Sequence, residues 1–345
     1  MTPLIHPRLV NDPFGDPGLF LEFKFQRRAM LFDLGDVSPL SPRDLLRVSD
    51  AFVSHAHMDH FSGFDRLLRT CLGRDKKLRL YGPPGFIDKV EHKLCAYDWN
   101  LVQRNPNVFV VEAAEPVTEK TLHVAMFSTR DQFRRIQGES RTIDDGVILD
   151  ENGYQVRALP LEHGITSLAF RIDEPVHVNV WRNRLSEIGL GVGPWLREAK
   201  AAIIHGAPDD TEIEAVWSEN GEANKAYPTI GMLKDSAITS CPGQKVAYVV
   251  DTVFTPLNAE RIVQFVHDAD LLFIETAFLN EDADRAADRF HLTAAQAGEI
   301  ARRAYVRKMI PFHFSPRYVG KENRLKQEAM DAFVGNMTTL SHADS

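Results

Sequence analysis

One short stretch of the sequence, FVSHAHMDHFSG at residues 52–63, holds three histidines and an aspartate within six positions, directly after an apolar run. Loops at strand ends are where binding sites are commonly built, and imidazole and carboxylate groups are ligands that zinc takes in proteins. His55 and His57 lie two residues apart on chain predicted to be extended, so both rings can project to one side. Asp59 and His60 follow at the predicted turn into a helix. The stretch therefore predicts a site for one metal ion or for two adjacent ions.

The composition is typical of a globular chain of 345 residues, since 44% of them are hydrophobic and can bury a substantial core. The 40 basic and 48 acidic residues give a net charge of −8, which offers no overall attraction to nucleic acid or to anionic membranes. The three cysteines are widely spaced, which excludes a disulfide framework and a CxxC zinc site and predicts a reducing, cytoplasmic location. No leader and no apolar run of about 18 residues is found, so we expect neither secretion nor membrane insertion.

Strand patterns dominate the first half of the chain, and helix patterns dominate the end. Residues 18–36, GLFLEFKFQRRAMLFDLGD, predict a hairpin that turns at Gln26 to Arg28. Residues 85–94 predict a helix, because their apolar residues recur on one face. The order of these patterns predicts an α/β (α+β) fold in which helices cover sheets. Residues 205–245 are rich in Gly, Pro, Asn and acidic residues, which predicts an insertion within one continuous domain, residues 1–345.

The sequence HAHMDH resembles the signature of the metallo-β-lactamase superfamily, whose fold is an αβ/βα four-layer sandwich with a dinuclear metal site. The resemblance implies three further ligands, and each has a candidate directly after an apolar run: His163 in LPLEHGITSLAF, Asp251 in VAYVVDT and His313 in MIPFHF. By this resemblance Asp251 bridges two ions, of which one is bound by His55, His57 and His163 and the other by Asp59, His60 and His313.

Hydrolysis is the chemistry that such a centre predicts. Two divalent ions can lower the pKa of a bound water and stabilise both the attacking and the leaving oxygen at phosphorus. Two zinc ions with a hydroxide between them are expected, although manganese or iron also suit His and Asp ligands. Asp59 would orient the hydroxide or accept its proton. Met58 stands where relatives usually have glycine, and its side chain could narrow the cleft.

A second histidine motif lies near the C-terminus, in FHLTAAQAGEIARRA. Thr293 and Gln296 have the spacing of a capping box, which predicts that a helix begins just after His291. The N-terminus of a helix favours a phosphate, and a histidine there can contact a phosphoryl oxygen or protonate a leaving group. An ordinary histidine at a helix start is the other interpretation.

This motif, with IETAF at 274–278, VVDT at 249–252, PFHFSPRY at 311–318 and YGPPG at 81–85, resembles ribonuclease Z, the tRNA 3′-processing endonuclease. The resemblance implies a zinc-dependent phosphodiesterase that removes the 3′ trailer from precursor tRNA and leaves a 3′-hydroxyl. It implies that His291 assists catalysis at the phosphate and that Glu275 supports it. Arg317 and Tyr318 fall where the family has an arginine and a tyrosine, and both are candidates for phosphate contacts. A homodimer is also implied.

The substrate is less firmly predicted than the chemistry. Relatives carry an arm that clamps the tRNA, and here the arm is predicted at about residues 172–245 with Gly193 and Pro194 at its turn. Residues 172–234 contain six basic and ten acidic residues, a charge of −4 that suits phosphate poorly. The alternative is a metal-dependent hydrolase of the same fold that acts on a small phosphodiester or another ester, with the arm as a lid. A redox diiron protein is disfavoured, because His57 stands where diiron relatives of the fold typically have a glutamate. A metal-free scaffold that merely binds RNA is disfavoured, because all seven ligand positions are occupied.

Overall fold

A computed structural model describes residues 4–24, 26–151, 153–174, 176–219 and 221–335. Its strands, in chain order, are β1 (Ile5–Leu9), β2 (Leu19–Phe23), β3 (Ala29–Phe32), β4 (Val48–Phe52), β5 (Lys76–Tyr81), β6 (Phe109–Thr118), β7 (Thr121–Ser128), β8 (Ile136–Gln137), β9 (Arg141–Thr142), β10 (Val147–Glu151), β11 (Tyr154–Glu162), β12 (Thr166–Asp173), β13 (Val176–Val180), β14 (Ala215–Glu219), β15 (Glu222–Ala226), β16 (Ile238–Pro242), β17 (Lys245–Val249), β18 (Leu271–Glu275) and β19 (Met309–Phe312).

The α-helices lie between these strands and after the last of them. In chain order they are α1 (Pro42–Arg47), α2 (Met58–Phe61), α3 (Phe64–Cys71), α4 (Phe86–Cys95), α5 (Arg182–Glu187), α6 (Trp195–Ile204), α7 (Ile230–Ser236), α8 (Pro256–Phe265), α9 (Ala283–Asp288), α10 (Ala294–Arg303) and α11 (Glu322–Val334).

Two large sheets form the centre of the larger compact unit, which comprises Ile5–Ile148, Val156–Ile172 and the described residues from Lys245 onward. The first sheet has the order β1 to β8, with β9 also paired to β7. The predicted hairpin is confirmed, since β2 and β3 pair antiparallel, and β3 to β6 then run parallel. The second sheet has the order β10-β11-β12-β17-β18-β19, and its last three strands run parallel.

Each sheet buries one face under helices. Apolar side chains of α1, α3 and α4 pack in one core cluster with the strands of the first sheet, and those of α8, α10 and α11 pack in another with the second sheet. The predicted helix at residues 85–94 is thus confirmed as α4, and α10 begins at the predicted capping box of Thr293 and Gln296. Helices therefore form the two outer layers.

The inner faces of the two sheets meet through aromatic rings. Phe32 and Phe52 of the first sheet contact Phe170 of the second, with ring centroids 5.4 and 5.7 Å apart. Tyr248 on β17 packs against Phe32 at 5.8 Å. Aromatic pairs at such spacings bury large apolar areas and stabilise a core beyond their area alone. The order of layers is helix, sheet, sheet and helix, as the family resemblance implies.

The smaller compact unit contains Leu149–Gln155 and Asp173–Gln244. Strand β13 pairs antiparallel with β16, and β14 pairs antiparallel with β15. An apolar core of its own is formed by the side chains of α5, α6 and α7, including Leu185, Trp195 and Leu233. The interpretation of residues 172–245 as an inserted arm of a single domain stays a prediction. Among the residues that the structure describes, no helix combines the length and the apolar character that crossing a membrane requires.

Candidate metal centre and active site

The predicted ligands lie at the ends of strands that the fold brings together. His55, His57, Asp59 and His60 follow β4, and α2 begins just after His57. His163 follows β11, Asp251 follows β17, and His313 is the residue after β19. Parallel strands deliver their carboxyl ends to one edge of a sheet, so residues far apart in sequence can meet there.

Two groups of potential ligand atoms converge around Asp251. The atoms of His55, His57, His163 and Asp251 lie within 4.8 Å of one another, and so do those of Asp59, His60 and His313. Asp251 Oδ2 lies 3.6 Å from His55 Nε2, 3.4 Å from His163 Nε2 and 3.4 Å from His60 Nε2. Its other oxygen, Oδ1, lies 2.9 Å from His313 Nε2. The carboxylate of Asp251 therefore stands between the two groups.

Hydrogen bonds to the Nδ1 atoms aim the histidine rings. His60 Nδ1 lies 2.9 Å from Asp33 Oδ2, and His163 Nδ1 lies 2.8 Å from the Phe290 carbonyl. His55 Nδ1 lies 3.0 Å from Ser54 Oγ, whose hydroxyl donates to Asp33. Each of these partners can accept a hydrogen bond, which favours a proton on Nδ1 and leaves Nε2 as the nitrogen directed to the centre. This arrangement of a carboxylate or carbonyl behind a histidine is typical of metal sites.

Unpaired polar atoms in the centre test whether a metal ion fits. Among the described residues, His60 Nε2 and Asp251 Oδ1 are buried without a hydrogen-bond partner, although Asp251 Oδ1 lies 2.9 Å from His313 Nε2. A buried polar atom without a partner costs free energy, so it indicates a missing ligand. A set of imidazole nitrogens and carboxylate oxygens is one that zinc accepts. The residues present therefore fit a metal ion.

The electrostatics of the centre also favour a cation. Burial, followed by the charge of His60, lowers the pKa of His55 to about 2. Burial would raise the pKa of Asp251, but His313 and His60 hold it well below its usual range. Burial would lower the pKa of His60, yet Asp251 and Asp33 raise it well above its usual value. The buried carboxylates thus draw positive charge, which protons or metal ions can supply.

His291 and Glu275 form a second pair beside the centre. His291 Nδ1 lies 2.8 Å from Glu275 Oε2, and Thr252 N–H donates to Glu275 Oε1 at 2.7 Å. Burial acts to lower the pKa of His291, but the charge and hydrogen bond of Glu275 and the charge of Asp251 raise it to about 9. Because Nδ1 faces Glu275, Nε2 is directed elsewhere, and the ring lies in a possible ligand group with Asp251 and His313.

A cleft of about 460 Å³ opens over these residues. Its lining includes His57, Asp59, His291 and His313, together with three arginines, Arg285, Arg289 and Arg317. The volume falls within the range of about 300–1,000 Å³ that ligand pockets have. Met58 is 84% exposed on α2 and does not line the cleft.

Arg317 and Tyr318, the two candidate phosphate contacts, both bond to Asp282. The Arg317 Nε donates to Asp282 Oδ2 at 3.3 Å, although the side chain lies on the cleft wall. Tyr318 is buried; its hydroxyl donates to Asp282 in a short hydrogen bond and accepts from the Leu279 N–H. The structure therefore leaves Arg317 at the cleft and directs the Tyr318 hydroxyl into the fold.

Several residues at the site were absent from the sequence-based prediction. Asp33 follows β3 and accepts from Ser54 N–H, Ser54 Oγ and the Tyr248 hydroxyl at 2.7, 2.9 and 2.9 Å, as well as from His60. Its signal in the sequence was an acidic residue directly after the apolar run AMLF. Arg285 and Arg289 had no signal, because only the fold of α9 turns them toward the cleft.

Four backbone positions at the site adopt the left-handed conformation without being glycine. They are Asp33, Asp251, Phe290 and His313, with φ values of 59°, 44°, 58° and 56°. Residues with a Cβ rarely adopt this conformation, because Cβ crowds the carbonyl oxygen. Three of the four reverse the chain at the end of a strand, and the fourth presents its carbonyl to His163. Four of the nine non-glycine residues with positive φ among the described residues thus lie at the site.

Comparison with known proteins gives a consistent result. Residues 200–314 match a family model described as a beta-lactamase superfamily domain. The sequence is 29% identical over 297 residues to ribonuclease Z of Deinococcus radiodurans, which covers 86% of this chain and 84% of that protein. It is 29% identical over 325 residues to ribonuclease Z of Natronomonas pharaonis, covering 92% of this chain and 87% of that protein.

Solved structures extend the likeness to the fold. The metallo-beta-lactamase fold protein YhfI from Bacillus subtilis superposes with a TM-score of 0.55 at 15% identity and covers 95% of this chain and 94% of that chain. The short form of human tRNase Z superposes with a TM-score of 0.51 at 17% identity and covers 91% of this chain and 92% of that chain. Both likenesses run through nearly the whole length of each chain.

Proposed function

We propose that the chain is a member of the ribonuclease Z branch of the metallo-β-lactamase superfamily, and that it is a metal-dependent endoribonuclease that removes the 3′ trailer from precursor tRNA. One observation carries the proposal beyond the family likeness. The six other predicted ligands lie in two groups around Asp251, and His291, which bonds to Glu275, lines the same cleft. A hydrolytic centre with an adjacent acid is what phosphodiester cleavage requires.

Two zinc ions are the proposed cofactors. One would be held by His55, His57 and His163, the other by Asp59, His60 and His313, with Asp251 between them. When bound, the ions supply positive charge to the phosphoryl oxygens and lower the pKa of a water. The two separate groups of ligand atoms and the unpaired His60 Nε2 support this assignment.

The chain's own residues supply orientation and proton transfer. The carboxylate of Asp59 is 44% exposed at the cleft, 3.5 Å from His60 Nε2, and it orients the attacking water and accepts its proton. His291 carries a proton at neutral pH, because Glu275 raises its pKa to about 9. It donates this proton to the leaving 3′-oxygen of the tRNA, while Glu275 fixes the ring through Nδ1. Glu275 therefore acts as a positioning residue.

A cleavage assay on labelled precursor tRNA tests the proposal. The parent protein is compared with Asp59→Ala and His291→Ala, and each is also assayed for bound metal. We expect tRNA cleavage to fall about 100-fold or more in both variants, since general acid or base catalysis contributes about 10²–10⁴. His291→Ala should retain nearly two zinc ions per chain. Loss of metal in His291→Ala would instead make this histidine a ligand, as its place beside Asp251 and His313 allows.

The charge of the smaller unit supports a second candidate, hydrolysis of a small phosphodiester. Residues 172–234 carry a net charge of −4. Two of their six bases are already paired, Lys225 with Glu214 at 2.6 Å and Lys234 with Asp209 at 2.7 Å. Such a segment is a poor clamp for RNA. Activity of the parent protein on a bis-aryl phosphodiester, with none on precursor tRNA, would favour this candidate.

A homodimer and a cytoplasmic location complete the proposal. The dimer is inferred from the family resemblance, and light scattering on the purified chain tests it: a monomer mass would refute it. A reducing compartment is inferred from the small number and wide spacing of the three cysteines, of which Cys71 is buried and Cys95 is exposed.

A further inference from the structure

We propose that Arg285 and Arg289 form a phosphate-binding pair that holds the substrate strand next to the scissile phosphate. The inference rests on the proposed function and adds a determinant of substrate class. The two arginines would select a polynucleotide over a small diester, because only a polynucleotide supplies a second phosphate while the first lies at the metal centre.

The placement of the pair follows from helix α9. Arg285 and Arg289 lie one turn apart, and the Arg289 N–H donates to the Arg285 carbonyl at 3.1 Å. Residues four apart share a helix face, so both side chains lie over the same surface. That surface is the cleft wall, which they line together with His291. Asp284 and Asp288, one position earlier, do not line the cleft.

The charge of both guanidinium groups is available to a ligand. Their residues are exposed, and neither side chain forms an ion pair within the described ranges. The third arginine of the cleft differs, since Arg317 lies 3.3 Å from the Asp282 carboxylate. Arg303, on the neighbouring helix, is likewise neutralised by Glu260 at 2.6 Å. Arg285 and Arg289 thus form no ion pair, although the charge of Arg285 helps to lower the pKa of Asp282, and both line the cleft beside the centre that we propose binds metal.

Phosphate is the group that this arrangement fits. A guanidinium binds two oxygens of one phosphate in a planar fork and keeps its charge at any working pH. Two such groups on one face can contact successive phosphates of a single strand, and such contacts position a strand without reading its sequence. A positive charge near the C-terminus of a helix stabilises the helix. If this were the only role of Arg289, its removal would lower the activity on all substrates by the same factor.

The test compares the parent protein with the double variant Arg285→Ala/Arg289→Ala. Arg302→Ala is the matched control, since Arg302 is an exposed arginine on α10 that does not line the cleft. For each zinc-loaded protein, kcat/KM is measured on precursor tRNA and on bis(4-nitrophenyl) phosphate at several salt concentrations. Binding of a fluorescein-labelled 12-nucleotide single-stranded RNA is followed by anisotropy over the same salt range.

We expect the ratio of kcat/KM on precursor tRNA to kcat/KM on the small diester to fall at least about tenfold in the double variant, mainly through KM. The slope of log Kd against log salt should become shallower by about 0.7 for each lost phosphate contact on a single strand. The Arg302→Ala control should match the parent protein. An equal loss on both substrates, or an unchanged salt slope, would overturn the inference.

The two proposals can fail separately. A parent protein that cleaves the small diester but not precursor tRNA would refute the proposed function. The anisotropy measurement then decides the inference on its own: weaker RNA binding with a shallower salt slope in the double variant supports the arginine pair. Equal binding by the parent protein and the double variant refutes it.

Discussion

Replacing Asp33 by asparagine should lower the metal affinity of the centre, although Asp33 is not itself a predicted ligand. Among the predicted metal ligands, Asp33 forms a hydrogen bond only with His60: Asp33 Oδ2 accepts from His60 Nδ1–H at 2.9 Å. The same oxygen, Oδ2, accepts the hydroxyls of Ser54 and Tyr248, both at 2.9 Å. An asparagine of the same shape would present an NH2 group at this position. The three groups that now donate to Asp33 Oδ2 would then face another hydrogen-bond donor. The serine and tyrosine hydroxyls can rotate and accept, but the imidazole can adapt only by moving its proton from Nδ1 to Nε2.

The size of the effect follows from these contacts. A hydrogen bond to a charged group contributes about 1.5–3 kcal/mol, and two of the three partners can recover part of that by rotation. The free energy of unfolding should therefore fall by about 2–4 kcal/mol. The altered tautomer of His60 would present Nε2–H to the centre, where a lone pair is needed. Loss of such an outer hydrogen bond typically lowers metal affinity about 10–100-fold.

The assay combines urea denaturation of the metal-free protein with a zinc competition titration against a chelator. Asp36→Asn is the control, because Asp36 is exposed and its carboxylate accepts only from Ser38 N–H and Ser38 Oγ among the hydrogen bonds of the described residues. The control should bind zinc like the parent protein and unfold at a similar urea concentration. Parent-like zinc affinity in Asp33→Asn would refute the tautomer argument.

Three further outcomes are expected. Burial would raise the pKa of Glu112, but Lys77 and Arg141 lower it below the ordinary value of 4.5. The ionised Glu112 carboxylate therefore stabilises the fold fully above pH 4.5, and this stabilisation is lost as the pH falls through the lower pKa of the folded state. Glu112→Gln should thus cost about 1–3 kcal/mol at pH 7 and progressively less below pH 4.5, measured by urea denaturation at each pH; a constant difference would contradict this. A Cβ on Gly63 would lie 2.1 Å from the Gly35 carbonyl oxygen, so Gly63→Ala should cost about 1–3 kcal/mol and lower the zinc content, measured by thermal unfolding and metal analysis. Chelation should lower the free energy of unfolding of the parent protein by about 3–4 kcal/mol for a site saturated 100–1,000-fold over Kd, and zinc should restore it; an unchanged unfolding curve would argue against a bound metal.

Local patterns predicted what depends on local geometry. The hairpin of β2 and β3, helix α4 and the capping box of Thr293 each depend on residues a few positions apart, and the structure contains all three. The convergence of the candidate ligands was expected only through the family resemblance, since nothing in the spacing between His60 and His313 specifies that they meet. The sequence identifies histidines and aspartates that could bind a metal, but the distances between them are set by how the two sheets pack.

The residues that escaped prediction act through contacts that no local pattern encodes. Asp33 matters because β3 and β17 face each other, which brings the Tyr248 hydroxyl to a carboxylate that lies far away in sequence. In the sequence Arg289 is indistinguishable from an ordinary surface arginine, and only the position of α9 in the fold shows that it lines the cleft. Tyr318 is a candidate phosphate contact only through the family resemblance, and in the structure its hydroxyl bonds to Asp282 and to the Leu279 N–H within the fold.

The left-handed backbone at Asp33, Asp251 and His313 has an evolutionary consequence. Glycine would relieve the strain at each position by an amount on the order of 1 kcal/mol, yet it would remove a side chain that the centre needs. At Asp251 and His313, selection for stability alone would therefore favour glycine, and only selection for activity opposes it, whereas at Asp33 the lost hydrogen bonds would outweigh the relief. In descendants of this chain, glycine at Asp251 or His313 would mark a lineage that has abandoned catalysis while keeping, or even strengthening, its fold.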